Sequence, residues 1–358
     1  MNFDFSDDIK AMASEVRKAL QKQCPMDEVR RCLEDGALKA GGLMSRPTWQ
    51  ALADMGVLGA TVPERWGGSG LGLLELAACA EEIGYACAPI PTLSSVYLAT
   101  EALMALGTDE QRERWLPPLA SGAAVATVHF DSVAPGCRSI TTSLKPVASG
   151  ACADLMLVLG ADGQGACIDL EHPGVVRRAL RVIDPGYPLA ELVLTGVPCE
   201  PMSYSPERLS ALRNKAIVLL AFEQLGGATR ALELARNYTM QRITFGRTVA
   251  SYQAVKHLLA DVWAKNELAR GHAYYGAWAA HNGHSALPLA AACARVAASE
   301  AFEFAAQEGL QLHGGIGFTW EGDAHPLYKR ARSSALALGS VHQWKREITA
   351  MLAERRKA

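Results

Sequence analysis

The chain lacks a surplus of either charge: 35 Lys and Arg stand against 37 Asp and Glu over 358 residues, a formal net charge of −2. A nucleic-acid-binding face needs a basic excess, so that class is set aside. Long apolar runs are missing, since no stretch reaches the ~18 residues a bilayer requires, and no membrane partner is expected. The 9 cysteines lie singly between Cys24 and Cys293 with no CxxC pair. That pattern excludes a disulfide scaffold or zinc ribbon and reads as a reduced, cytoplasmic chain. The first residues, MNFDFSDDIK, are acidic and amphipathic rather than basic and then apolar, so no secretory leader is expected. No GxGxxG follows a strand, which removes the phosphate-binding turn of a Rossmann unit. His313, His325 and Asp323 are not spaced as a ligand set, so no metal is expected. Ser333-Ser334 and Cys137 lack the neighbours of an activated nucleophile.

What is present is a composition of 49% hydrophobic and 20% charged residues, enough for two or three packed units. Three textures follow one another, at 1–122, 123–204 and 205–358. The first is helical. Ile9, Met12, Val16 and Leu20 in DIKAMASEVRKALQKQ keep helical spacing, Thr48 to Met55 forms another helix, LEDGALKA (33–40) reads as a weaker one, and a small-residue helix runs from Leu71 to Ile83. VPERWGGSG is a Pro- and Gly-rich break between them. The second texture is β-rich: AVATVHF, DLMLVLG and ELVLTGV are short runs separated by turn residues. Without room for crossover helices, an antiparallel sheet is expected. The third opens on Ser205-Pro206-Glu207, a capping hydroxyl, a first-turn proline and an acid at the positive helix end. Long Ala-rich helices joined by short loops then predict an antiparallel bundle. The order helical, β, helical makes an α+β chain.

Several segments of this chain, in order, resemble the acyl-CoA dehydrogenase family. They are LADMGVLGATVPERWGGSGLGLLELAACAEEIGYACAP (52–89), LGTDEQRERWLPPLASG (106–122), the RITFG of Arg242 to Gly246, SYQAVKHLLADVWAKNELAR (251–270) and the QLHGGIGF of Gln311 to Phe318. The resemblance runs nearly end to end. It implies a helical N-terminal domain, a β middle domain and a C-terminal four-helix bundle, assembled as dimers of dimers. It implies FAD, an acyl-CoA substrate and an electron-transfer flavoprotein as electron acceptor. It also implies that RxxFG and QxHGG segments reach the FAD of a neighbouring subunit. The cofactor-binding residues carried over are therefore Arg242, Phe245, Gln311, Gly314 and Gly315. A guanidinium suits a pyrophosphate, and bare glycine backbone lets a phosphate approach. The plainer alternative makes Arg242 a helix-end charge, Phe245 a core residue, and Gly246 and Gly314 simple helix stops.

Two departures from the family pattern carry the functional reading. Family members place a catalytic glutamate either before a Gly-Thr/Ser pair after the QxHGG helix or early in the first bundle helix. The matching residues here are Leu338, ahead of Gly339-Ser340, and Ala216. Neither takes a proton. Glu223, seven residues beyond Ala216 on the same helix face but about 10 Å further along, is the candidate catalytic base within the chain, desolvated inside AIVLLAFEQLGG. Its alternative is a structurally paired buried acid, and Glu321 is a lesser candidate. The family's Thr-Glu-Pro-Gly loop and aromatic flavin segment are also reduced. Only Pro135-Gly136 remains in VHFDSVAPGCRSITTSLKPVASGACADL, a run roughly a dozen residues shorter than usual.

These departures predict a subunit of a heteromeric acyl-CoA dehydrogenase, in which a second dehydrogenase chain supplies the base and the flavin-ring contacts. Split assemblies of this kind occur in the family for CoA thioesters of steroid side chains and other bulky acyl groups. The alternatives are a homo-oligomeric flavoenzyme using Glu223, or a catalytically silent member that binds CoA or a partner.

Overall fold

The computed structural model describes residues 4–38 and 44–355; of the LEDGALKA segment, Lys39 and Ala40 lie outside the described residues. Helices come first: α1 (Asp7–Gln23), α2 (Met26–Leu38), α3 (Arg46–Asp54), α4 (Leu73–Tyr85), a wide π-type helix at Thr92–Thr100 that continues as α5 (Glu101–Leu106), and α6 (Asp109–Ala120). The α6 start is fixed by a capping box. Thr108 Oγ1 accepts from Gln111 N at 3.3 Å and Gln111 Oε1 accepts from Thr108 N at 3.1 Å, satisfying two donors at the helix end.

Seven strands follow: β1 (Ala126–His129), β2 (Ser139–Ala148), β3 (Leu155–Leu159), β4 (Gln164–Asp169), β5 (Val175–Ala179), β6 (Leu189–Pro198) and β7 (Glu200–Ser203). They form two sheets, ordered β1-β3-β4-β7 and β2-β6-β5. The expectation of an antiparallel sheet holds for every pair among these seven except one: β1 and β3 are parallel, Ala126 opposite Leu155. No crossover helix is needed, because β2 leaves the first sheet, pairs with β6 in the second, and returns the chain to enter β3 from the same end. Burial records the difference. All five residues of β3 are buried, whereas β6 alternates half-buried and buried along Leu189 to Leu194, the pattern of a sheet packed on one face.

The C-terminal part holds α7 (Pro206–Gln241), a hairpin of β8 (Ile243–Thr244) and β9 (Arg247–Thr248), α8 (Gln253–His281), α9 (Leu287–His313), α10 (Ala324–Leu336) and α11 (Val341–Arg355). Ser205 Oγ accepts from Arg208 N at 3.4 Å and Pro206 is the first helical residue, as the start signal predicted. No helix of the described residues is long and apolar enough to cross a membrane.

The chain forms two compact units. One comprises the described residues within Met1–Lys18, Ala77–Cys87 and Ile217–Ala358; the other comprises those within Ala19–Leu76 and Ala88–Ala216. In the first, α4 crosses α7 at glycines: a Cβ on Gly226 would stand 1.8 Å from Glu81 O, and one on Gly84 would stand 1.7 Å from Glu223 O. Arg270 pairs with Glu81 at 2.7 Å and Arg17 with Glu82 beside this crossing. In the second, the wide helix lies on β1, where Ser95 Oγ accepts from Ala126 N at 3.1 Å.

Candidate cofactor and active-site regions

At the end of α7, Arg242 N still bonds Tyr238 O at 2.9 Å, and the chain then turns back as the β8–β9 hairpin, Ile243 opposite Thr248 and Thr244 opposite Arg247. The two turn residues are Phe245 and Gly246, with φ of +53° and +77°. Two left-handed residues in a two-residue loop match a twisted hairpin, and that conformation in a phenylalanine costs roughly 1–2 kcal/mol. The strain holds the ring outward, since Phe245 is 93% exposed. The plainer alternative therefore does not hold for two of these residues: Phe245 is outside the core of the described residues, and Gly246 belongs to a hairpin rather than a helix cap. Tyr252 props the hairpin, its hydroxyl donating to Thr244 O at 2.9 Å and its ring lying 3.9 Å under the Arg247 guanidinium. Arg242 is exposed, and its side chain has no ion pair or hydrogen bond among the described residues.

The end of α9 lies against this region. His313 stacks on Tyr238 with ring centroids 4.7 Å apart, and its Nδ1 lies 2.6 Å from Gly309 O. Gln311 on one side and Gly314-Gly315 on the other are exposed. Gly314, at φ +62°, ends the helix, so the helix-stop role holds for it. Gly315 has no such reason to be glycine: its φ is not left-handed, and an added Cβ would meet nothing within 4 Å. Bare backbone facing open space is what close approach of a phosphate requires. All five sequence-predicted cofactor residues are thus exposed at the adjoining ends of α7 and α9. Met240, Ile243, Ile316 and Phe318, at 59%, 64%, 50% and 69% exposure, add apolar surface around them.

The turn after α10 is built differently. Arg295, fully buried on α9, donates through Nη2 to Ser334 O and Ala337 O, both at 2.7 Å, and through Nη1 to Gln224 Oε1 at 2.8 Å. Gln224 Nε2 donates to Ser334 Oγ at 3.1 Å. Trp344 Nε1 donates to Leu338 O at 3.1 Å. Within this clamp Leu338 takes φ +55° and Gly339 φ +104°. The backbone is thus pinned at Leu338, the residue that the sequence resemblance sets against a catalytic carboxylate, and the side chain there is hydrocarbon. The other seat, Ala216, is fully buried. Sequence reasoning missed Arg295. A single cation inside the Ala-rich run AAACARVAAS was the available signal, because burial of a lone charge demands a set of acceptors.

Glu223 is 4% exposed, with its main chain against Gly84 of α4. The next residue, Gln224, enters the Arg295 network. Glu321 is exposed. His325 Nε2 lies 3.0 Å from Trp320 O, and the two rings stack. In the other unit Gly136 has φ +67° with open space around it. Sequence reasoning also missed Glu101, a buried acid that accepts from Thr61 Oγ1; burial pushes its carboxyl above the ordinary range, while Thr61 and Lys215 pull it back.

Residues 6–123 match the acyl-CoA dehydrogenase N-terminal domain and residues 210–352 the acyl-CoA dehydrogenase C-terminal domain. The acyl-CoA dehydrogenase IpdE2 of Mycobacterium tuberculosis (strain ATCC 25618 / H37Rv) is 34% identical over 301 residues, covering 84% of this chain and 85% of its own. The chain belongs to the acyl-CoA dehydrogenase family. Among its relatives, the acyl-CoA dehydrogenase FadE34 of the same organism is 35% identical over 310 residues, 86% of this chain; the matched part spans only 42% of FadE34. Two solved structures share the acyl-CoA dehydrogenase fold over 98% and 99% of this chain and 99% of theirs, each with a TM-score of 0.86. They are a variant of the Tcur3481-Tcur3483 steroid ACAD, 27% identical, and the ChsE4-ChsE5 complex from Mycobacterium tuberculosis, 25% identical.

Proposed function

We propose that this chain is one subunit of a heteromeric acyl-CoA dehydrogenase. It contributes Arg242, Phe245, Gln311, Gly314 and Gly315 to an FAD whose ring rests on a second dehydrogenase chain, and that chain supplies the carboxylate for the α-proton. The observation carrying this reading is the pinned Leu338: the backbone of the base position is held by Arg295 and Trp344, yet it presents a side chain that cannot take a proton.

The residues present fit the adenine and pyrophosphate half of FAD. Arg242 has an unengaged planar donor fork suited to pyrophosphate oxygens, Phe245 offers a free ring face, and Gly314-Gly315 leave room for phosphate. The ring half is poorly provided for, with only Pro135-Gly136 remaining of the family loop. Bound FAD supplies the acceptor for the hydride from the β-carbon, and an electron-transfer flavoprotein then takes the electrons. The α-proton next to a thioester is weakly acidic, so its removal needs an ionisable oxygen close by and donors on the thioester carbonyl. The side chains of Leu338 and Ala216 provide no ionisable oxygen. A CoA thioester of a bulky, steroid-type acyl group is the proposed substrate class, supported by the Tcur3481-Tcur3483 steroid ACAD. The ChsE4-ChsE5 complex supports assembly with a different dehydrogenase chain.

Co-expression with candidate partner acyl-CoA dehydrogenase chains from the same genome tests this. The expected result is a yellow, active complex and a colourless chain alone; a yellow, active homo-oligomer would contradict it. The second reading, a homo-oligomer with Glu223 as base, is favoured by that carboxyl's burial in α7. It predicts that Glu223→Gln keeps flavin and loses turnover, and unchanged turnover removes it.

A further inference from the structure

Two thiols of the β-rich unit, distant in sequence, meet where the two sheets adjoin. Cys137 lies in the loop between β1 and β2, and Cys199 is the single residue between β6 and β7. Cys199 Sγ is 3.5 Å from Cys137 Sγ and 3.3 Å from Cys137 O. The backbone holds them there. Ser139 is paired with Pro198 in the β2–β6 ladder, and Cys199 N donates to Arg138 O at 3.0 Å. The contact is therefore set by strand register, and bonding requires the sulfurs to close to about 2.0 Å with a dihedral of roughly 90° about the new bond.

Both sulfurs can be reached. Cys137 is half-buried on its loop. Cys199, 7% exposed, lines a cavity of about 420 Å³ together with Arg114, Asp169, His172 and Glu200.

We propose that Cys137 and Cys199 form a reversible disulfide, a redox modification that ties the β1–β2 loop to the β6–β7 junction. The oxidant is a small-molecule disulfide. Cys137, as thiolate, attacks one sulfur of that molecule, forming a mixed disulfide and expelling one thiol. Cys199 loses its proton as its sulfur attacks the Cys137 sulfur, expelling the second thiol. Two protein thiols are oxidised and one small disulfide is reduced to two thiols. Burial, with the Cys137 contact, pushes the Cys199 thiol up to about 12, so Cys137 attacks first and Cys199 resolves. Cys167, which faces Glu200 across the β4–β7 pair, is the competing thiol, and its burial keeps it protonated.

The test treats the purified full-length protein with oxidised glutathione, blocks remaining thiols by alkylation, and maps peptides by mass spectrometry. The expected product is one cross-linked peptide pair containing Cys137 and Cys199, lighter by two hydrogen atoms than the reduced pair and released by dithiothreitol. Cys199→Ser should stop at a glutathione adduct on Cys137, and Cys137→Ser should leave Cys199 free for alkylation. The oxidised protein should melt at a higher temperature than the reduced one, because the link closes a long loop. Should Cys199→Ser fail to fold, the exposed-side variant Cys137→Ser still decides. The proposal is overturned if wild type accumulates the Cys137 adduct with Cys199 alkylated, if Cys199 pairs with Cys167, or if neither thiol reacts.

Discussion

The adjoining ends of α7 and α9 and the turn after α10 belong to the same helical unit and are finished in opposite ways. At the first, side chains capable of recognition stand without internal partners: an unpaired Arg242, a Phe245 held outward by a left-handed backbone, and a glycine with no conformational reason to be one. At the second, Arg295, Gln224 and Trp344 bond the backbone and Ser334 of the turn, and the residue they hold is Leu338. The first place is chemistry without local support. The second is support without chemistry. A subunit that lends groups to a neighbour's cofactor and takes its base from elsewhere would show this division.

The largest effect should come from loosening the second place. Arg295→Met removes the guanidinium donors to Ser334 O, Ala337 O and Gln224 Oε1, and should lower stability by about 3 kcal/mol or more in urea unfolding. A loss below about 1 kcal/mol would mean that the clamp does little. Next, Arg242→Ala should weaken FAD binding by the assembled complex about tenfold or more, as loss of a charge-assisted phosphate contact does. Because the side chain is exposed and unpaired, the chain's own stability should stay within about 0.5 kcal/mol. A large fall in melting temperature would show that Arg242 has a structural task and blur the contrast.

These expectations rest on features of unequal legibility. The start at Ser205-Pro206-Glu207 was readable because capping is local: Ser205 Oγ finds its partner, Arg208 N, within one turn. The parallel β1–β3 pair was not readable, since it depends on β2 joining the other sheet, a choice made by partners tens of residues away. At RxxFG the chemistry was legible and the geometry was not. A glycine after a long helix reads equally as a stop or as half of a hairpin turn, and only the pairing of Ile243 with Thr248 decides. The hydrocarbon side chains of Leu338 and Ala216 could be seen directly, wherever they lie. Arg295 and the Cys137–Cys199 contact escaped because single residues in unlike surroundings carry no periodic signal.

Smaller effects sharpen the contrast further. Leu338→Gly should stabilise the chain by about 1 kcal/mol by relieving a left-handed leucine, partly offset by the greater freedom of glycine when unfolded. No gain would mean the clamp, rather than the backbone preference, sets that geometry without cost. Phe245→Ala should weaken FAD binding in the complex by a few-fold, about 0.5–1.5 kcal/mol for one aromatic contact. Unchanged affinity would remove the ring from the cofactor surface.

The most direct measurement is turnover by the chain alone. Reconstituted with excess FAD and assayed with a range of acyl-CoA thioesters and ferricenium, it should show no α,β-dehydrogenation above the flavin-only background, and activity should appear when the second dehydrogenase chain is added. Dehydrogenation at the rate of the complete complex, by this polypeptide without a partner, would contradict the account.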